Sequence, residues 1–426
     1  MRPRWLVVLA GAALSAIAPP AQGDALPPWV APGDVPVAEW VRSVAPLKDG
    51  IAVYQAPGRL DARRGSIALG TRLPLFATAR APGCAGRWLN VGPLAWACSD
   101  VAQLSPDPVS PRELATKDPT ADGMPHAYYF AGSEGAYGFP SLKDAVDDAP
   151  DTELEKGWAI AVVEQATAHG QRWGRSRQGR WFSLQELGAA RPSAFHGEDI
   201  VGGQLDVAWV VVPRANVYSA LNGKVSGVRT RFEALHVREA KKGRAGEMLR
   251  VSKDGEPEAW LRARDVSRAT AAPPPAEVGG AASKERWIDV DLAEQVLVAY
   301  EGVTPVFATL VSTGRGGQGT KTATRKGVHR IWVKIFTTKM DNLEDEDAEH
   351  HYRIEDVPWV QFFDKGIGLH AAFWHRDFGH VHSHGCVNLA PLDAHRLFGW
   401  TGPKLPAGWS AAYPHAYDPG TAVRVR

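Results

Sequence analysis

Thirteen residues, Ala271 to Ser283 (AAPPPAEVGGAAS), divide this chain. Three successive prolines remove three backbone donors, and two adjacent glycines follow, so neither a strand nor a helix can run through. Whatever folds must fold on one side of this stretch or the other. A second stretch, Ser105 to Pro125, mixes Ser, Asp and Thr with several prolines, lacks any apolar period, and reads as another linker. At 426 residues the chain has room for about three domains at the usual size.

The amino terminus carries an export pattern. Met1-Arg2-Pro3-Arg4 is basic, Trp5 to Ala18 is apolar, and small residues lead to Ala21-Gln22-Gly23 ahead of Asp24. The apolar run falls short of the about 20 residues that span a bilayer. The expectation is a cleaved signal peptide over 1–23 and a mature chain in the periplasm or cell wall, the other reading being an uncleaved anchor. Disulfides persist in that compartment, so Cys84 and Cys98, fourteen apart, are an expected pair. Cys386 is then left over, and an idle thiol in an exported protein is open to oxidation. The 48 basic and 47 acidic residues give a net charge of +1, which excludes a strongly basic nucleic-acid face.

Ahead of the Ala271–Ser283 stretch a weak repeat shows. Tyr54, Tyr137 and Tyr218 are followed by Trp96, Trp181 and Trp260 at offsets of 42, 44 and 42. After each tryptophan comes an acid-aliphatic pair: Asp100-Val101, Glu186-Leu187 and Asp265-Val266. Two copies have a further tryptophan eight residues earlier, Trp88 and Trp173. Short apolar runs between the anchors, such as Trp158 to Val163 and Leu249 to Ser252, read as strands of small β-barrels. These units resemble bacterial Src-homology-3-like domains, with expected bounds 45–105, 125–195 and 205–270. The resemblance implies peptide or glycan binding or a spacer role; the tryptophans suit a core more than a ligand platform.

Past the linker the pattern is strand again, at Trp287 to Asp291, Gln295 to Tyr300, Val306 to Val311, Gly327 to Ile335 and Thr421 to Arg426. One segment, Pro391 to Trp400, reads as a helix. Pro391 fits its first turn, Asp393 suits the positive end of the dipole, and Gly402 lies past its end. The expectation is a mostly β domain over 284–426 with one main helix.

The chemistry concentrates in Gly368-Leu369-His370-Ala371 and Ser383-His384-Gly385-Cys386-Val387-Asn388-Leu389. A cysteine nucleophile needs a base to supply thiolate at neutral pH, and His370, sixteen residues earlier, can reach it from a paired strand. Gly385 permits a tight turn whose amides converge on one point, as an oxyanion hole requires. On this chemistry alone, an acyl-transfer pair and a buried structural thiol both stand.

The run S-H-G-C-V-N-L with its upstream L-H-A resembles the signature of the L,D-transpeptidase family. Trp287-Ile288-Asp289-Val290 with Gln295, Val311-Ser312-Thr313-Gly314, and Val357-Pro358-Trp359 through His370 resemble its framework strands. The resemblance implies a C-terminal β-sandwich with one main helix, preceded by up to three small barrel-like domains. It implies Cys386 as nucleophile, His370 as base, and the Ala371 carbonyl orienting the imidazole. Backbone amides at His384, Gly385 and Cys386 would hold the oxyanion, with His384 shaping the turn. Ser383 and Asn388 would fix the loop and, with Trp374, border the substrate. One departure is Thr322-Ala323-Thr324-Arg325-Lys326-Gly327, where the family often has T-P-T-P-x-G, and this leaves the conformation of that loop open.

The implied activity is that of a cysteine acyltransferase of peptidoglycan biosynthesis. A tetrapeptide stem is attacked at its third residue, D-alanine leaves, and an amine resolves the thioester. A carboxypeptidase using water, or a wall-binding protein with minor activity, are the alternatives. No cofactor or metal is expected. His380-Val381-His382 lacks the acidic ligand and H-E-x-x-H context of catalytic zinc. Gly314 to Thr322 has its lysine one position late for a phosphate loop, and Asp341 to Glu349 lacks the central glycine of a calcium loop. That acidic run reads as solvated surface or a flap over the cleft. Expected partners are stem peptides and, through the repeats, glycan or wall peptides, with no nucleic acid and no membrane insertion after cleavage.

Overall fold

A computed structural model describes residues 37–112, 114, 122–344 and 351–426. The expected signal peptide (1–23), part of the first linker and residues 345–349 of the acidic run lie outside the described residues. The described chain is mostly β. Its two α-helices are Pro391–Trp400, as expected, and a five-residue Leu142–Val146. The shorter one is too brief to show a period; Ser141 caps it, accepting the Asp144 N–H at 3.2 Å.

Beyond the linker two sheets enclose one core. In the first, Arg286–Asp291 pairs antiparallel with Val296–Glu301 and parallel with Ala422–Val425, and Gly327–Arg330 extends it past Ala422–Val425. Thr304–Ser312 pairs with Val296–Glu301, then crosses over: its last residues, Val311 and Ser312, pair with Leu389 and Asn388 of Val387–Leu389. From there the second sheet runs through Ile367–Ala371, Arg353–Asp364, Val333–Asp341 and Trp409–Ala412. Ile288, Val290 and Leu297 of the first sheet meet Leu369 and Val387 of the second, and Leu397 and Phe398 of the longer helix close the core. The expected strand Gly327 to Ile335 is in fact two, one in each sheet. The chain turns between them, where Ile331 N–H donates to Thr421 O and Trp332 N–H to Phe362 O.

Both ends of the longer helix are buried against other elements. Asp393 does not simply complement the dipole: it accepts the Gly197 N–H at 3.0 Å and the Thr309 hydroxyl at 2.5 Å, and burial pushes it up to about 6. At the other end Lys334, 1% exposed, donates to the carbonyls of Phe398 and Thr401, while Lys404 donates to those of Gly399 and Trp400. Four carbonyls at the helix end thus find lysine donors.

Ahead of the linker the repeat has a structural basis. Tyr54 pairs across strands with Trp96, and Tyr218 with Trp260. In the middle copy the partner of Trp181 is Phe139, not Tyr137, so the offset is 42 in all three copies. Tyr137 is half exposed, whereas Phe139 is buried and takes the edge of Trp173 as Tyr54 takes that of Trp88. All five tryptophans of the repeat are buried. Cys84 and Cys98 are joined in a disulfide with Cα atoms 5.6 Å apart.

These units are not separate beads. Arg63–Ile67 of the first adds to the free edge of Trp409–Ala412, continuing the second sheet. Gly65 permits this approach, because a Cβ there would lie 2.3 Å from the Ala411 carbonyl. In the second unit Tyr128 donates to the Asp356 carbonyl at 2.6 Å, and Arg177 pairs with both Asp356 and Asp49 at 2.8 Å. The linker forms two 3₁₀ turns, Ala276–Val278 and Gly280–Ala282, and is strapped to the first sheet. Arg424 donates to Pro273 O, Arg330 to Glu277 O and Arg426 to Thr270 Oγ1.

Candidate active site

Two short parallel strands place His370 and the segment that carries Cys386. His370 on Ile367–Ala371 is the register partner of Asn388 on Val387–Leu389. Side chains two apart on a strand share a face, so Cys386, two before Asn388, projects on the His370 side opposite Gly368. His370 is buried, and its Nδ1–H donates to the Ala371 carbonyl at 3.0 Å. That bond sets the tautomer and leaves Nε2 as the basic nitrogen. Cys386 is half-buried, with Sγ 3.7 Å from the Gly366 carbonyl.

The turn before the sulfur is anchored from several sides. Ser383 Oγ donates to the Cys386 carbonyl at 2.5 Å and accepts the Gly385 N–H at 3.1 Å. Gly385 has φ +129°, a conformation that L side chains rarely adopt. Its carbonyl accepts Thr324 Oγ1 at 2.7 Å, and the same hydroxyl accepts the Gly314 N–H at 2.8 Å. The variant Thr322–Gly327 loop therefore ties itself to the turn before Cys386 through Thr324. Gln295 holds the adjoining Thr313 at both its N–H and its hydroxyl, and the Thr313 carbonyl receives the N–H groups of His382 and Ser383.

Two expectations need correction. The Gly385 N–H is spent on Ser383 and cannot also hold an oxyanion; among the described residues the amides of His384 and Cys386 have no acceptor. Ser383 and Asn388 are buried, with their polar atoms turned into the protein, so they shape the loop and do not face substrate. The His384 ring is exposed and stacks on Tyr352 at 5.8 Å. Trp374 is half-buried and stacks on the His370 ring at 5.7 Å.

Electrostatics favour neutral groups at rest. Burial holds His370 down at about 4, against the raising effect of its Ala371 bond. Burial also pushes the Cys386 thiol up, while the Gly368 backbone pulls it back. Both shifts oppose a resting thiolate–imidazolium pair.

Tyr352 was not legible as a site residue. Burial raises its phenol, and the nearby Cys386 adds to the shift. Its backbone N–H donates to the Asn342 side-chain oxygen at 2.7 Å. The histidines of H-x-H do not converge: His380 donates to the Val211 carbonyl, and His382 stacks on His375. Among the described residues the one grouping of three possible metal ligands is Cys84, Cys98 and Asp100, whose sulfurs are bonded to each other. No helix of the described residues is long and apolar enough to cross a membrane.

No curated protein matches the chain. Among solved structures it is similar to a cysteine-to-serine mutant of Enterococcus faecium L,D-transpeptidase, at 22% identity over 34% of this chain and 50% of that one, TM-score 0.25. It is similar to an L,D-transpeptidase from Stackebrandtia nassauensis, at 26% identity over 34% and 57%, TM-score 0.23. An L,D-transpeptidase from Mycobacterium smegmatis is similar at 13% identity over 63% and 99%, TM-score 0.25. The chain spans about half the length of the first of these. Residues 285–425 match the family model of the L,D-transpeptidase catalytic domain.

Proposed function

We propose that the chain is an exported peptidoglycan L,D-transpeptidase in which Cys386 and His370 carry acyl transfer. The observation that carries this reading is the His370 tautomer: with Nδ1–H given to Ala371 O, Nε2 is the nitrogen left to take the thiol proton. Sulfur attacks the carbonyl of the third residue of a tetrapeptide stem as that proton moves to Nε2. The oxyanion forms against the amides of Cys386 and His384. Collapse breaks the peptide bond, D-alanine leaves as the amine with the proton from His370, and a thioester remains. An amine of a second stem then attacks, its proton passing to His370, and the thiol is restored. This sequence needs no metal and no cofactor.

In the same reading the units at 45–105, 125–195 and 205–270 are Src-homology-3-like modules that face the wall, and 1–23 directs export. Incubation with purified muropeptides, read by mass, should give D-alanine release and cross-linked dimers or swapped D-amino acids. Tripeptide alone would make water the acceptor. No turnover of any stem, with tight wall binding, would overturn the reading. A catalytic domain of the Enterococcus faecium enzyme has been obtained acylated by ertapenem. A carbapenem should add once to this chain, and Cys386→Ala should abolish the adduct.

A further inference from the structure

The loop joining the two catalytic strands carries an imidazole that the reaction above does not use. His375 is buried, its Nδ1 accepts the Asp377 N–H at 3.1 Å, and its Nε2 lies 2.9 Å from the Asn388 side-chain amide. A neutral imidazole has one N–H. Nδ1 is an acceptor here, so the hydrogen is on Nε2, which must donate. The amide atom facing it is then the oxygen of Asn388, because two N–H groups cannot bond each other.

The setting is rigid. His375 stacks on His382 at 4.0 Å and lies against Phe378 at 4.9 Å. The charged or titratable groups around it are His382, Asp377, His370 and Arg315, and burial keeps the ring neutral. Asp377 is held by the third N-terminal unit, whose Arg231 donates to Oδ1 at 2.8 Å and to the Phe378 carbonyl at 3.2 Å. Ser312 Oγ donates to the Asp377 carbonyl at 2.9 Å. Asn388, at the other end, is the strand partner of His370 and leaves the sheet on the same face.

We propose that His375 is a positioning residue for acyl transfer: as the Nε2–H tautomer it fixes the Asn388 amide, and Asn388 fixes the placement of His370 beside Cys386. Arg231 and Asp377 hold His375 in that role, so the third unit supports the reacting pair. The inference rests on His370 and Cys386 being that pair.

The test is acylation of Cys386 by a carbapenem in the full chain, followed by intact mass over time and concentration. His375→Phe keeps a ring against His382 and Phe378 but can neither accept nor donate. Its maximal acylation rate should fall about tenfold, the factor that goes with one buried hydrogen bond left unmade, at unchanged half-saturating concentration. His375→Gln, which restores a donor toward Asn388, should recover most of the loss. His375→Phe in an Asn388→Leu background should add no further loss. A wild-type rate for His375→Phe, no advantage of Gln over Phe, or an additive double variant would each overturn the proposal. The tautomer is read independently, on the unaltered protein, by ¹⁵N-histidine NMR: Nε2–H is expected, and Nδ1–H on His375 would overturn it even if the variants fail to fold. Should the unaltered chain take no adduct at Cys386, the acyl-transfer reading falls, while the tautomer still reports on the network.

Discussion

The resting state of the Cys386–His370 pair can be tested by pH. An ordinary thiol titrates near 8.5, and burial moves Cys386 above its ordinary value, while His370 sits at about 4. Moving the proton from sulfur to imidazole before any substrate binds therefore runs uphill, and the neutral pair is the resting form. Iodoacetamide reads thiolate alone, so alkylation of Cys386 should rise about tenfold per pH unit from 6 upward, without a shoulder. His370→Ala should leave that profile within about threefold at pH 7, since the histidine supplies no thiolate at rest. Carbapenem acylation, in which the proton must leave as sulfur attacks, should fall by about 10² to 10⁴ in the same variant. A pH-independent alkylation plateau below pH 7, lost in His370→Ala, would refute the reasoning and establish a resting thiolate–imidazolium pair.

Lys334 is held down at about 7 by burial, so above that pH the folded chain has released a proton that the unfolded chain keeps until near 10.4, and stability rises with pH in between. From pH 7.5 to 9 the gain should be about 2 kcal/mol in urea unfolding; Lys334→Met should flatten it, and an unchanged slope would assign it to another group. Thiol counting on the unfolded, unreduced protein should find one free cysteine, Cys386, and Cys84→Ser with Cys98→Ser should cost up to about 3 kcal/mol of stability in the first unit; three free thiols would contradict the pairing. Arg177→Met strips the buried Asp356 carboxylate of its cation and should destabilise by about 3 kcal/mol in thermal melts. Asp356→Asn should recover part of that loss, and no recovery would mean that the charge is not the cause.

What the sequence made legible is what repeats or clusters along it. The tryptophan spacing survives because Trp96, Trp181 and Trp260 each cross to a fixed strand partner. The one misread anchor, Tyr137, lies two residues from the buried Phe139 on the same strand. Cys386 and His370 stand out because sixteen residues bring them to adjacent strands. By contrast, Asp393 meets Gly197 and Tyr128 meets Asp356, contacts of 196 and 228 residues' separation that no local pattern announces. Tyr352 follows an acidic run that masks it, and Ser383 carries a polar label whether it faces substrate or its own turn. The oxyanion assignment failed at Gly385 for that reason: motif position says nothing of where an N–H points once Ser383 Oγ is in reach.

The seam between Arg63–Ile67 and Trp409–Ala412 bears on how this protein can be cut. A fragment beginning at the linker would keep every residue of the reacting pair yet lose the neighbour of Trp409–Ala412. That strand would then present bare N–H and C=O groups along its outer side, an invitation to a second copy. Arg63–Ile67 comes some 340 residues before Trp409–Ala412 and closes the sheet from far upstream. Solubility of the catalytic part is in this sense a property lent to it by the first unit, and dimers or aggregates of the isolated fragment would mark where that loan was withdrawn.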